Sequence, residues 1–306
     1  MAAPDILNGA VPARAKVNLF LHVGDKRDDG FHPLQSLAVF TASGDSLRAE
    51  EGSGLSLEID GPFAAGLQKE QDNLVLRAAR ALGEAAARPA DARLILTKNL
   101  PVASGIGGGS ADAAAALRAL CALWKLDWDE GRLREIGASL GSDIPVCVPS
   151  LPSFMEGRGE IVTPVESFPR LALLLVNPRV AVPTRDVFSA LTQRSGVGAI
   201  LPRGRLRDCA DLLRFLETTR NDLEAPARAL QPVIGEVLSA LAALPGALFT
   251  RMSGSGATCF AIFPDDDSCA RAARALTSAH TDWWIQPTAV PEFNIAHEET
   301  GQDIGP

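Results

Sequence analysis

The sequence predicts a protein of mixed strand and helix divided into two domains, and three observations predict it. At 306 residues the chain is long for one hydrophobic core. Aliphatic runs with strand-like alternation are interleaved with Ala- and Leu-rich runs of helical character. The third observation is a junction. Ala92 to Thr97 reads as a strand, Ala111 to Leu123 reads as a helix of about three turns, and a glycine-rich loop joins them.

That loop, Pro101-Val102-Ala103-Ser104-Gly105-Ile106-Gly107-Gly108-Gly109-Ser110-Ala111-Asp112, has four glycines within five residues and closes on Ser110, the expected N-cap. Glycine accepts positive φ and carries no side chain, so such a loop can turn its N–H groups toward one point. The helix behind it adds free N–H groups and the positive end of its dipole. The expected product is an anion site, most naturally for phosphate. Gly109-Ser110-Ala111 lacks the lysine of a Walker A loop, and Ser110 stands where the dinucleotide fingerprint needs glycine. Protein-kinase glycine loops bridge two strands, whereas this one opens a helix. Asp112 would repel a bound phosphate and is expected to point away from it or toward a cation.

Composition sets the outer limits. Hydrophobic content of 46% with 22% charged residues is that of a soluble globular protein. A net charge of −8 argues against a broad nucleic-acid surface, which needs basic patches. Five scattered cysteines and four histidines form no zinc signature, and the cysteines read as buried free thiols of a reducing compartment. The N-terminus has no charged segment leading into an apolar core, and no run approaches a membrane span. A cytoplasmic protein without membrane contact is expected. Nothing in the sequence bears on its oligomeric state.

In chain order, Val17, Leu19, Leu21 and Val23 alternate as one buried strand face, which places Lys16, Asn18, Phe20 and His22 together on the other. A solvated edge and a polar site both fit that second face. Gly24 to Gly30 is turn-like, so Phe31-His32-Pro33 follows a loop; the pair could be plain packing or a seat for a flat heterocycle. Leu55 to Asp60 alternates as a half-exposed strand. Asp72 or Asn73 caps a helix from Leu74 to Ala87, and another helix runs from about Asp129 to Leu140. In Gly141-Ser142-Asp143-Ile144-Pro145, Pro145 is expected to prevent helical continuation. Asp143 there is either a cap or turn former or an acid at a dry cleft, leading into a buried strand.

A boundary is expected within 157–167, where Gly157-Arg158-Gly159 and Pro164 interrupt the pattern. Leu171 to Val176 begins a new buried strand, and Pro178 to Phe188 is a loop or short helix entry. Gly196 to Gly204 reads as a surface loop, and Leu223 to Leu244 as helix interrupted by Pro226, Pro232 and Gly235. Leu248 to Arg251 and Ala257 to Phe263 read as strands flanking a second glycine turn, Ser253-Gly254-Ser255-Gly256. Asp265 to Thr277 is a helix, Trp283 to Val290 the last strand, and the tail after Pro291 is expected to fray.

Three segments taken together, Ala15-Lys16-Val17-Asn18-Leu19, Pro101 to Ala111, and Ser253-Gly254-Ser255-Gly256-Ala257, resemble in order the three motifs of the GHMP kinase superfamily. Within it, Gly30-Phe31-His32 and Gly141-Ser142-Asp143-Ile144-Pro145 resemble the family that phosphorylates 4-diphosphocytidyl-2-C-methyl-D-erythritol for non-mevalonate isoprenoid synthesis. The likeness covers nearly the whole chain. It implies an α+β GHMP kinase fold with an ATP-binding domain over 1–163, a second domain over 164–306, and an active-site cleft between them. ATP with Mg2+ would be the cofactor and a cytidine-diphosphate alcohol the small-molecule partner, with γ-phosphoryl transfer to its 2-hydroxyl.

By matching position, residues 101–111 would cradle the ATP phosphates, and Asn73 and Lys98 would lie near the adenine. Asp143 would accept the hydroxyl proton beside Lys16. Phe31 and Phe188 would sandwich the cytosine, His32 and Asn18 would hydrogen-bond the substrate, and Thr184 and the 253–256 turn would line its side. No carboxylate pair in the sequence declares itself as a ligand for Mg2+, leaving the Ser110 hydroxyl, ATP oxygens and water as the expected shell. The family usually has tyrosine where Phe31 stands, and this chain has no tyrosine. Stacking needs only the ring face, so only a phenol hydrogen bond, about 0.5–1.5 kcal/mol, is lost. Other readings stay open here: a homoserine- or mevalonate-type kinase of the same superfamily, a non-catalytic nucleotide-binding regulator, or a nicotinamide-dependent oxidoreductase.

Overall fold

The computed structural model describes residues 9–28, 30–65, 67, 72–199, 202, 206 and 208–295. Its first sheet has the order β3-β4-β2-β5-β6, with β1 (Val11–Val23) paired to β2 (Leu34–Glu50) off that path. β3 (Leu55–Asp60) and β4 (Ala92–Thr97) are the parallel pair, joined through helix α1 (Leu74–Ala85) as a parallel connection requires. Helices α2 (Gly108–Leu123), α3 (Glu130–Leu140) and α4 (Ile144–Cys147) follow, then the hairpin β5 (Ser153–Glu156) and β6 (Ile161–Pro164).

Beyond β7 (Ser167–Phe168), β8 (Leu171–Asn177) enters a four-stranded antiparallel sheet of order β11-β8-β10-β9. Helices α5 (Thr184–Ser189), α6 (Cys209–Glu217), α7 (Glu224–Leu230) and α8 (Val233–Ala242) precede β9 (Phe249–Met252) and β10 (Cys259–Phe263). Helix α9 (Asp266–Ala279), β11 (Trp284–Val290) and β12 (Phe293–Asn294), which pairs with β7, complete the fold. No helix among the described residues is long and apolar enough to cross a membrane.

Three cores hold these layers. One packs α1 to α4 on the first sheet, through Leu82, Leu94, Leu117 and Leu133. A second packs the C-terminal helices on the second sheet, through Val237, Ile234, Phe263 and Leu276. The third lies between the sheets, where Val17, Leu19 and Phe20 meet Leu173, Leu175 and Phe260. Buried Arg251 reinforces that junction: its guanidinium donates to the Leu19, Leu216 and Thr219 carbonyls at 2.6–3.1 Å. Burial lowers its pKa to about 10, which still leaves it charged at neutral pH.

Several sequence expectations need correction. Helix α2 begins at Gly108, three residues early, and its N-cap is Gly107 at φ 65°, so Ser110 is an inner first-turn residue and not the cap. The segment after Asp143 forms α4 and not a strand, because Pro145 sits in the first turn, where the missing N–H would be unpaired anyway. In β1 the alternation breaks at a bulge: Asn18 pairs with Ala38 and Phe20 with Leu37, leaving Leu19 extra. Phe20 and His22 therefore leave the face of Lys16 and Asn18, and Leu21 replaces them there. Both faces are buried, so the solvated-edge reading fails.

Strand β2 and helix α6 have no counterpart in the sequence reading. Gln35 to Thr41 is buried on both faces and so lacks the period of two that marks a strand. Of the cysteines, Cys121, Cys147, Cys259 and Cys269 are buried and free as expected, while Cys209 is half-buried. The loop expected over 196–204 and the tail beyond 291 lie partly outside the described residues.

Candidate active site

A cavity of about 1040 Å³ is lined by β1, the glycine loop, the 138–143 segment, the β5–β6 turn, α5 and the second glycine turn. The glycine loop forms one wall. Gly107 caps α2 without a side chain, so the N–H groups of Gly108, Gly109 and Ser110 have no acceptor within the helix. Glycine is required at two places. A Cβ on Gly105 (φ 77°) would collide with the Gly256 backbone, and one on Gly107 would lie 3.1 Å from the Lys16 side chain.

Both sheets hold the loop in place. Lys16 N–H donates to the Ile106 carbonyl (2.9 Å) and Thr258 N–H to the Ser104 carbonyl (3.1 Å). The Ser253 hydroxyl donates to the Gly105 carbonyl (3.1 Å) and accepts from Asn18 N–H (3.0 Å). Ser104 is buried with its own hydroxyl on the Pro101 carbonyl (2.6 Å). Of the loop positions expected to cradle phosphate, Ile106 and Ala111 are buried and do not line the cavity, while the rest do.

Under the loop, Lys16 Nζ meets Asp143 Oδ2 at 2.9 Å, with the lysine buried and the carboxylate 41% exposed to the cavity. Asp143 makes no capping bond to α4, which removes the plain helix-cap reading of this residue. A second lysine lies beside it in a drier setting. Lys98 Nζ is held between Asp112 Oδ2 (2.8 Å) and Asp45, and all three side chains are buried. Asp112 thus meets a cation, as its position in the loop requires. Asp45 also accepts from the N–H groups of Asn99 and Leu100 at 2.5 and 2.8 Å, which anchors the entry to the glycine loop.

The titration of this buried group follows from its surroundings. Burial raises the Asp112 carboxyl to about 8, against the opposing pull of Lys98, and the neighbouring Asp45 charge adds to the rise. Its Oδ1 has no hydrogen-bond partner, which favours the neutral acid. Lys98 is desolvated too, but the charges of Asp112 and Asp45 prevail and raise its pKa. The lysine stays charged and Asp112 carries the movable proton.

At the far end of the cavity, Phe31, His32 and Phe188 come together. The His32 ring stacks on Phe188 with centroids 5.9 Å apart, and His32 Nδ1 lies 2.9 Å from the Gly24 carbonyl. A carbonyl only accepts, so Nδ1 donates in this bond and Nε2 is left for a ligand. Phe31 is 52% exposed at the rim. Thr184 Oγ1 and Ser255 Oγ are 2.9 Å apart, joining α5 to the second glycine turn. Asn18 donates through Nδ2 to Ser36 Oγ (2.7 Å). Asn73 lines the cavity with its Oδ1 capping α1 at Val75 N–H (2.9 Å), which leaves its NH2 group for a ligand.

Sequence reasoning missed the residues that hold the site from behind. Ser36 fixes Asn18, Asp45 fixes Lys98, and Asn221 Nδ2 fixes the second glycine turn through the Met252 and Gly254 carbonyls (both 2.8 Å). Each is a lone polar residue far from its partner in the chain, and no local pattern marks it.

Among the described residues, no group of three or more His, Cys, Asp or Glu could hold a metal ion. The orphaned Asp112 Oδ1 is enclosed and its other oxygen is held by Lys98, so it offers no open carboxylate to a hard cation. The Ser110 hydroxyl beside the cavity suits a cation bound mainly by phosphate oxygens and water.

Comparison with known proteins places the chain in a family. The family model for the GHMP kinases N terminal domain matches residues 73–150, and that for the GHMP kinases C terminal matches residues 199–282. A 4-diphosphocytidyl-2-C-methyl-D-erythritol kinase from Parvibaculum lavamentivorans is 50% identical over 282 residues, covering 90% of this chain and 96% of the relative. One from Rhodospirillum rubrum is 49% identical over 284 residues, covering 92% of each. A crystal structure of 4-(cytidine 5'-diphospho)-2C-methyl-D-erythritol kinase superposes with a TM-score of 0.73 at 33% identity, covering 92% of this chain and 99% of that one. Mevalonate kinase from L. major, at 16% identity and a TM-score of 0.69 over 96% of this chain and 100% of that one, shares the fold.

Proposed function

From the premise that this chain belongs to the 4-diphosphocytidyl-2-C-methyl-D-erythritol kinase family of the GHMP kinases, we propose how its cavity works. The chain is an ATP-dependent kinase that transfers the γ-phosphoryl group to the 2-hydroxyl of 4-diphosphocytidyl-2-C-methyl-D-erythritol, a step of isoprenoid precursor synthesis. The observation that carries the mechanism is the Lys16–Asp143 pair, open to the cavity and directly under the glycine loop.

The free N–H groups of Gly108, Gly109 and Ser110 hold the triphosphate at the helix N-terminus. The Ser110 hydroxyl would be the donor this chain supplies to a Mg2+ carried by the triphosphate, which would supply charge neutralisation there. Asp143 orients the acceptor hydroxyl and takes its proton as the phosphoryl group arrives. Phosphoryl transfer has a loose transition state, so placement and charge matter more than base strength. Lys16 holds Asp143 in line and offsets charge on the transferring group.

Phe31 and Phe188 receive the cytosine, while His32 Nε2, Asn18 and Thr184 bind the rest of the substrate. Asn73 supports the adenine through its NH2 group. Lys98 acts here through its fold-anchoring ion pairs with Asp45 and Asp112. A division at residues 163 and 164 belongs to the same reading, supported by the two family-model matches lying on either side of it. So does action in the cytoplasm.

A coupled assay of ATP consumption tests the function, with the diphosphocytidyl alcohol set against homoserine, mevalonate and simple polyols. Turnover with the cytidine compound alone is expected. Equal or faster turnover with homoserine or mevalonate would overturn the substrate assignment.

A further inference from the structure

The sequence marks Gly157-Arg158-Gly159 only as a break in pattern, and the mechanism above leaves it unused. These residues form the turn between β5 and β6, on the cavity rim. The turn is well fixed. Leu34 N–H donates to the Gly157 carbonyl at 2.7 Å, and Arg158 N–H donates to Glu160 Oε2 at 2.5 Å. It is also close to the chemistry, because a Cβ on Gly159 would stand 3.8 Å from Asp143 Oδ1. From this turn Arg158 reaches over Phe31, its guanidinium carbon 4.8 Å from the ring centroid.

The charges lining the cavity single out this arginine. Lys16 is neutralised by Asp143, and Lys98 by Asp45 and Asp112. Among the described lysines and arginines that line the cavity, Arg158 alone has no carboxylate on its side-chain nitrogens. A substrate that stacks its base on Phe31 and offers its hydroxyl to Asp143 would run its diphosphate from one to the other. The turn carrying Arg158 touches both ends of that path.

We propose that Arg158 is a specificity-determining residue that binds the diphosphate joining the nucleoside to the alcohol, while its stack on Phe31 holds the guanidinium in place. The inference rests on the substrate reading given above. A guanidinium presents a planar fork of donors that matches phosphate oxygens in pairs. Resting on an aromatic face, it meets the diphosphate already oriented and loses little freedom on binding. Arg158 thereby selects a nucleoside diphosphate ester over an alcohol lacking that charge.

The test is calorimetric binding of CDP and of cytidine to the wild-type protein, Arg158→Ala and Arg158→Lys. Loss of a charge-assisted contact should weaken CDP binding to Arg158→Ala by roughly 10- to 100-fold, with cytidine binding within twofold of wild type. Arg158→Lys should fall between, since it keeps the charge and loses the fork. In steady-state assays KM for the nucleotide alcohol should rise in step while KM for ATP holds. Equal weakening of CDP and cytidine would mean that Arg158 only props Phe31, and would overturn the proposal, as would no change in either. A wild-type protein that bound neither compound would instead overturn the cytidine-substrate reading, and the Arg158 assignment with it.

Discussion

Two lysine–carboxylate groups brace the same glycine loop, and they differ in where their acids face. Lys16 lies under Gly107 and pairs with one carboxylate, Asp143, that is 41% exposed to the cavity. Lys98 lies under Gly108 and pairs with two, Asp45 and Asp112, whose side chains are at most 5% exposed. A carboxylate that reaches the cavity can meet a hydroxyl and take its proton. An acid sealed beside a lysine cannot reach a substrate, and its role is structural. The glycine loop uses one group for chemistry and the other for its foundation.

The largest expected effect that would break this comparison lies on the open side. Asp143→Ala should reduce turnover by a hundredfold or more, within the roughly 10²–10⁴-fold contribution of a positioned acid or base. Buried Lys16 loses its partner, so a fall in thermal stability should accompany the loss, and turnover is read per folded protein. Near-normal turnover would remove Asp143 from the chemistry. Next comes the buried side, where Lys98→Met leaves the Asp45 carboxylate and the Asp112 acid without their cation. Losing one partner of a buried ion pair costs about 3–5 kcal/mol, so denaturant unfolding should move to a markedly lower midpoint. An unchanged midpoint would show the triad to be no foundation.

A smaller effect is expected at Gly107→Ala. The left-handed backbone at φ 65° costs a side-chain-bearing residue roughly 1–2 kcal/mol, and the new methyl would press on Lys16. Weaker ATP binding in a folded variant is the outcome to look for. The finest distinction is in pH. The folded-state pKa of Asp112 is raised from 3.8 to about 8, so the folded chain keeps a proton that the unfolded chain releases. Its contribution to stability is full below about pH 4 and is lost as pH rises to about 8. Asp112→Asn should flatten that fall in melting temperature between pH 5 and 8, and a slope equal to wild type would mean that another group causes it.

The two groups also differ in how far the sequence discloses them. The open group is legible because its lysine shares a strand with Asn18 and its acid sits in a short motif of its own, Gly141 to Pro145. In the buried group the sequence marks Lys98 and expects Asp112 to turn away from the phosphate or toward a cation, but nothing identifies Asp45, fifty-odd residues away on an unrecognised strand. Fold elements follow the same rule. β4, α3 and α9 announce themselves by alternation or by an aspartate or other cap, whereas β2 is buried on both faces and shows no period. The bulge at Leu19 is invisible as well, because alternation assumes an unbroken ladder. Arg158 was legible only as a loop residue, since its importance comes from what the fold places beneath it.

The most direct measurement is a crystal structure of the ternary complex with a non-hydrolysable ATP analogue and the diphosphocytidyl alcohol. The account predicts the triphosphate against the N–H groups of Gly108, Gly109 and Ser110, with the acceptor hydroxyl about 3 Å from the Asp143 carboxylate. A triphosphate bound away from that helix start, or a hydroxyl out of reach of Asp143, would contradict it.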